Sequence, residues 1–238
     1  IGNLLRAVRS SFDQSFGRQM GPLIPRYPVI YIKNYIKAWV ATFSQESAEA
    51  AQIALHKRPV YALADELGLD LERMLKPPRG QVLKGEESFG YAFGGERPIQ
   101  RLTTAIPFVK MANRGFVTGS NGMVFDILEG FYKEMLTRNK AIASGKIKLP
   151  PGEAFSIQEK MLKFGHMLED MSGRGRLGPL KELAPQLNAF FWSMRLNIGR
   201  MLTPRHLISP DPLVRKEAWK ILSSFVATGV GISVLGEQ

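Results

Sequence analysis

Cysteine is missing from all 238 residues, which excludes disulfides, thiolate metal sites and cysteine nucleophiles. Histidine is scarce, with three, and acidic side chains number 21 against 32 Lys plus Arg. The net charge of +11 favours contact with a polyanion or an acidic protein surface, and a packed basic scaffold would carry the same balance. No alternating apolar and polar run long enough for a half-buried strand occurs, nor a coiled-coil heptad, nor an internal repeat. The chain starts at Ile1 rather than Met and shows no signal-peptide pattern, so it reads as an excerpt of a longer polypeptide. The terminal apolar stretch SSFVATGVGISVLG is shorter than the roughly 20 residues of a bilayer span. Its small residues suit close helix packing or insertion into a membrane.

What is present is helical period, nearly everywhere. In PVIYIKNYIKAWVATF, Ile32, Tyr35, Ile36, Trp39, Val40 and Phe43 recur at three and four residues, an amphipathic helix starting after Pro28. Ser44 can cap a second helix through SAEAAQIALHK, PVYALADELGL restarts at Pro59 and ends at Gly68, and Asp70 caps LERML. The stretch PPRGQVLKGEESFGYAFGGER then loses all period and reads as a long surface excursion. Helical pattern returns in RPIQRLTTAIPFVKMANRGFV, is interrupted by TGSNG, and continues with Phe125, Leu128, Tyr132 and Met135 on one face. Ser156 and Glu159 spell a Ser-x-x-Glu capping box. Leu183, Leu187, Phe190, Met194, Ile198 and Met201 mark a further helix buried along that face and ended by Pro204. Asp211 as N-cap and Pro212 in the first turn open the last helix, whose Val214, Ala218, Ile221, Leu222 and Phe225 face inward. The expected architecture is all-α: an irregular multi-helix bundle with a long central loop excursion. Residues 1–75 form an N-terminal helical subdomain, 76–97 the excursion, and 98–238 a C-terminal helical subdomain.

The most conspicuous short motif is SGRGRLG. A phosphate-binding P-loop would need a Gly-Lys-Ser/Thr ending after a strand, and an RGG-type tail would repeat many times. Gly173, Gly175 and Gly178 therefore read as the positive-φ residues of a helix-to-helix corner. Arg174 and Arg176 read as solvated flanks, or alternatively as forks gripping a phosphate or carboxylate. The three histidines, His56, His166 and His206, fall in separate elements without a second ligand at helical spacing, so no metal and no cofactor is assigned. Glu87-Ser88 resembles the Glu-Ser opening of lytic transglycosylases, but the Gly-Leu-Met-Gln stretch of those enzymes is absent, and an exposed acidic loop is preferred. Ser120, in TGSNG, lacks the strand-to-helix elbow of a hydrolase nucleophile. Phe190, Phe191 and Trp192 could anchor a partner, although core packing is the commoner fate of such rings. Candidate partner contacts are Arg174, Arg176, Phe191, Trp192, Arg195, Arg215 and Lys216.

The stretch SGRGRLGPLKELAPQLNAFFWSMRLNIGRM, followed by PDPLVRKEAWKILSSFVATGVG, resembles a segment of the very large polyvalent proteins of bacteriophages. Their Gly-Arg-Gly-x-Leu-Gly, proline and Leu-Asn-x-x-Phe-Phe-Ser-x-Arg pattern is matched at Gly173, Arg174, Gly175, Leu177, Gly178, Pro185, Leu187, Asn188, Phe191, Ser193 and Arg195. Their Val-Arg-Lys-Glu-Ala is matched from Val214 to Ala218, and a Ser-x-Asp-x-Ser with Arg-Gln at Ser11, Asp13, Ser15, Arg18 and Gln19. The middle departs, at TGSNG and around Gly80 to Gly95. The resemblance implies a non-catalytic, internal virion protein that lies near the portal and is delivered into the host cell with the genome. Its partners would be portal or other internal core proteins, with the chain present as a homo-oligomeric ring or in multiple copies. DNA contact would be nonspecific, and membrane contact confined to delivery. Two other readings stand beside it: a basic nucleic-acid-binding module using faces such as Arg215, Lys216 and Lys220, and a lytic-transglycosylase-like enzyme domain resting on Glu87 alone.

Overall fold

Prolines and hydroxyl caps determine where the helices begin. The structure, a computed structural model, describes residues 19–72, 107–149, 154–174 and 194–236. Helix α1 is Pro28–Phe43, with the proline in its first turn, where its missing N–H costs nothing. Helix α2, Gln45–His56, starts where the Ser47 amide donates to Ser44 Oγ at 3.1 Å. Helix α3, Pro59–Glu66, again begins on proline and ends at Gly68, whose φ of +68° no side chain obstructs. Helix α4 is Pro107–Ala143, 37 residues long. Helix α5, Ile157–Met171, is capped as the Ser-x-x-Glu spacing predicts: the Glu159 amide donates to Ser156 Oγ at 3.2 Å. Helix α6, Met194–Leu202, ends just before Pro204, which opens a 3-10 turn, Thr203–Ile208. Helix α7, Pro212–Gly236, starts where Asp211 Oδ1 accepts the Leu213 and Val214 amides at 3.0 and 3.4 Å. The chain is all-α: every regular element among the described residues is helical.

Helix α4 is the spine. Phe116, Val117, Val124, Phe125, Leu128, Phe131 and Met135 are all buried along it, and Phe131 stacks on Phe164 of α5 with ring centroids 3.8 Å apart. Each such side chain, fully buried, contributes about 1.5–3 kcal/mol of apolar transfer. Met20, Leu23, Leu55 and Val60 from before residue 76 share this core with Met161, Phe164, Val214 and Ala218 from after residue 98. The first turns of α7 complete it through Val214, Ala218 and Ile221.

Three expectations are corrected. First, TGSNG does not interrupt the helix; α4 passes through Thr118–Gly122 without a break. Two glycines of α4, Gly115 and Gly122, serve close approach. A Cβ on Gly115 would lie 2.0 Å from Thr42 Oγ1 and 2.8 Å from the Ala38 carbonyl oxygen, and one on Gly122 would lie 2.0 Å from Asn34 Oδ1. Backbone meets side chain at a distance only glycine permits.

Second, α1 is inside out. An apolar stripe ordinarily turns to the core, yet Ile32, Ile36, Trp39, Val40 and Phe43 are exposed, and the buried side is Asn34, Ala38, Ala41 and Thr42. These small residues are the ones that fit against the glycines of α4. Third, Phe225 and Met201 are not inward: they are 48% and 79% exposed, because α7 leaves the body after Leu222 and α6 turns that edge to solvent.

Candidate interaction surfaces and the Gly/Arg corner

The outward side of α1 is a candidate site. At roughly 100° per residue, Val29, Ile32, Ile36, Trp39, Val40 and Phe43 fall within about 100° of arc, opposite the buried side. Ile36 and Phe43 are 59% and 68% exposed. A ring ladder runs beside them, Tyr31 to Tyr35 at 5.6 Å, Tyr35 to Trp39 edge-on at 6.3 Å, and Trp39 stacked on Phe43 at 5.9 Å. The contacts hold the rings in place before any partner arrives. Ile36 and Val40 also border a cavity of about 300 Å³ between α1, α2 and α4, floored by Asn34, Thr118, Asn121 and Arg58. Lys37 stands at its edge, and burial, with help from Lys33, pulls its pKa below the usual lysine value.

What holds α1 in this inverted orientation is a polar node on Asp126. Asn34 Nδ2 donates to its carboxylate at 2.9 Å and to the Ile30 carbonyl at 2.9 Å. Arg58 Nη1 reaches the other oxygen at 2.7 Å, and Lys33 adds a contact at 3.2 Å. Burial alone would raise the Asp126 pKa, but the bonds from Asn34 and Arg58 outweigh it and keep the group below the ordinary aspartate value. At the far end, Arg114 donates to the carbonyls of Ala41 and Thr42, placing a cation on the negative end of α1.

At Gly173 the Gly/Arg motif closes α5 with a positive-φ residue. Gly173 has φ +74°, its amide bonds to Asp170 O at 3.3 Å, and the Arg174 amide bonds to Glu169 O at 2.8 Å. This is the Schellman pattern, which satisfies the last carbonyls of α5. Gly175 and Gly178 lie outside the described residues. Arg174, however, is not a solvated flank. It is 3% exposed and donates to Asn121 Oδ1 of α4 at 3.1 Å. With the chain reversed at Gly173, residue 174 is thrown back onto the spine, and the guanidinium is used inside the fold. Two buried acids end α5, on the unfavourable pole of its dipole, and each faces a basic side chain. Glu169 faces His166 at 2.9 Å and accepts the Asp70 amide, while Asp170 faces Arg205 at 2.8 Å and His206 at 2.7 Å.

Of the other candidates, Arg176, Phe191 and Trp192 lie outside the described residues, as do Glu87 and Ser88, and for Arg195 only the backbone in α6 is described. Arg215 is exposed and donates to the Ser209 carbonyl at 3.1 Å; Lys216 is exposed. The structure does not bring these two together with Arg174. His56 pairs with Glu72 at 2.6 Å, so all three histidines sit beside a carboxylate. Among the described residues no group of three His, Asp or Glu is arranged to hold a metal ion. Ser120 is buried within α4 and donates to Val117 O. The outward stripe was missed as a site because its period is that of a core helix. The available signal was the opposite side of the same helix, where Asn34, Ala38, Ala41 and Thr42 match the glycine spacing of α4.

No protein-family model matches the chain, and comparison with curated proteins and with solved structures returned no match.

Proposed function

We propose that this chain is a non-catalytic interaction module that docks through the outward stripe of α1. On the resemblance carried by Gly173–Arg195 and Val214–Ala218, it would act as part of an internal virion protein of a bacteriophage, seated on the portal or neighbouring internal proteins and delivered with the genome. The observation that carries the docking reading is the pre-ordered ring ladder on an exposed, one-sided apolar stripe. A stripe of this width fits an apolar groove in a protein, the helix-in-groove mode, and buried aromatics supply much of the energy in such contacts.

The nucleic-acid reading has less support. Lys33 and Arg58 are engaged with Asp126, Lys160 with Asp211, Arg26 and Lys220 with Glu217, and Arg205 with Asp170. These pairings engage six of the 32 Lys and Arg side chains with carboxylates.

The test is the double variant Ile36→Glu/Val40→Glu carried in the parent virion protein. Both positions face solvent, so its helix content and melting temperature stay at the wild-type values while incorporation into particles drops. Normal incorporation of a normally folded variant overturns the docking reading. Duplex binding that survives physiological salt would put the nucleic-acid module first, because nonspecific phosphate contact weakens steeply as salt rises.

A further inference from the structure

Helix α7 changes character half-way along. Up to Ile221 it is an ordinary surface helix: Val214, Ala218 and Ile221 are buried, and Arg215, Lys216 and Lys220 are exposed. From Phe225 to Leu235 every residue is exposed, and no charged side chain occurs between Lys220 and Glu237. This part is not amphipathic. At roughly 100° per residue, Phe225, Val226, Val230, Val234, Leu235 and Ile232 point in turn around the whole circumference. They are between 48% and 72% exposed. The contrast with α1 decides what kind of partner each helix takes. A groove in a protein covers one side of a helix, as the stripe of α1 requires. A helix that is apolar all round needs a medium that surrounds it.

We infer that the part of α7 from Ser223 to Gly236 inserts into a lipid bilayer, with Lys216, Trp219 and Lys220 seated at the headgroups. Length permits it. By length and composition alone Pro212–Leu235, 24 residues, would cross a membrane, but its first turns pack on the body, so only the part beyond Leu222 is available to lipid. The part free of the body, Ser223–Gly236, is about 21 Å long at 1.5 Å per residue, past the midplane of a hydrocarbon core about 30 Å thick. The boundary has the chemistry of an interface: Trp219 is 53% exposed beside the last lysine before the apolar run. Indoles and basic side chains concentrate at that depth, and anionic headgroups attract the lysines. Gly229 and Gly231 weaken a helix in water, have nothing within 4 Å of a built Cβ, and are common in membrane helices. The inference does not rest on the docking of α1.

The experiment is flotation of the full chain with vesicles of phosphatidylcholine, alone and mixed with phosphatidylserine. Wild type floats with the mixed vesicles, less with the neutral ones, and high salt weakens binding without abolishing it. Val230→Arg/Val234→Arg touches no packed residue, leaves helix content and melting temperature unchanged, and binds at least about tenfold more weakly, since arginine at depth opposes insertion. Ile36→Glu/Val40→Glu still floats, which separates this inference from the α1 reading. In a variant keeping Trp219 as the sole tryptophan, bromine-labelled lipid quenches its emission most strongly when the label lies close to the headgroup. Wild type that stays in the dense fraction overturns the inference, as does an arginine variant that floats equally well. So does sedimentation showing that the apolar half instead joins copies of this chain, lost in the arginine variant with vesicle binding unchanged.

Discussion

One helix offers the same substitution at three sites with different outcomes. Alanine for glycine within a helix is ordinarily worth about 1 kcal/mol in its favour. Gly130 of α4 is exposed and nothing lies within 4 Å of its built Cβ, so Gly130→Ala stabilises by nearly that amount, or roughly 2–4 °C in Tm for a chain of this size. At Gly122 the new methyl falls 2.0 Å from Asn34 Oδ1 and 2.9 Å from its Cγ. The carboxamide must swing away, losing its bonds to Ile30 O and to the Asp126 carboxylate in a buried site. The bond to the charged group alone is worth about 1.5–3 kcal/mol, so Gly122→Ala is net destabilising by about 1–2 kcal/mol after the helix gain. At Gly115 the hydroxyl of Thr42 can rotate, but the Ala38 carbonyl at 2.8 Å is backbone. The two helices must separate, an overpacking cost of about 1–3 kcal/mol. Urea denaturation followed by circular dichroism measures all three. Asn34→Ala placed in the Gly122→Ala background removes the collision, so the double variant loses less than the two singles together. Stabilisation at Gly115 and Gly122 equal to that at Gly130 would refute the close packing of α1 on α4, and with it the outward orientation of the stripe.

Arg174→Ala destabilises by about 1–2 kcal/mol because it removes a buried side chain and its bond to Asn121; unchanged urea midpoints would return Arg174 to the solvent. Gly173→Val fails twice, at a φ of +74° and against Leu196 Cδ1, 2.6 Å from a built Cβ. A loss of at least about 2 kcal/mol is expected, read as a lower Tm. Asp211 is pushed up by burial, but the bond and charge of Lys160 and the Leu213 and Val214 amides bring it below the usual aspartate value. A lowered folded pKa stabilises above the unfolded value near about 4 and is lost as pH falls through the folded one. Asp211→Asn keeps a capping oxygen but loses the charge facing Lys160, so its deficit against wild type is full at neutral pH and shrinks below about pH 4. A deficit that does not change with pH would show that the carboxylate charge contributes nothing there.

Much of the local structure was legible from the chain. Pro28, Ser44, Pro59, Ser156 and Asp211 open helices where they should, and Gly68 and Gly173 close them, because capping and positive φ are properties of a few adjacent residues. The all-α class follows equally locally from period. The side of α1 that faces in was not legible. Periodicity places Ile32, Ile36, Trp39, Val40 and Phe43 on one stripe, but only the glycines of a helix some 80 residues later make the opposite, smaller side the better fit. The fate of Arg174 was hidden for the same reason, since Asn121 becomes its neighbour only when the corner at Gly173 turns it back onto α4. The apolar run after Lys220 was visible in the sequence; that no described part of the body covers it was decided by the direction in which α7 leaves the core. Sequence by itself determined where helices start, stop and repeat their apolar residues, because those are short-range matters of backbone geometry and hydrogen bonding. Only the tertiary structure decided which apolar surfaces remain outside, because burial depends on shape matching between segments far apart in the chain.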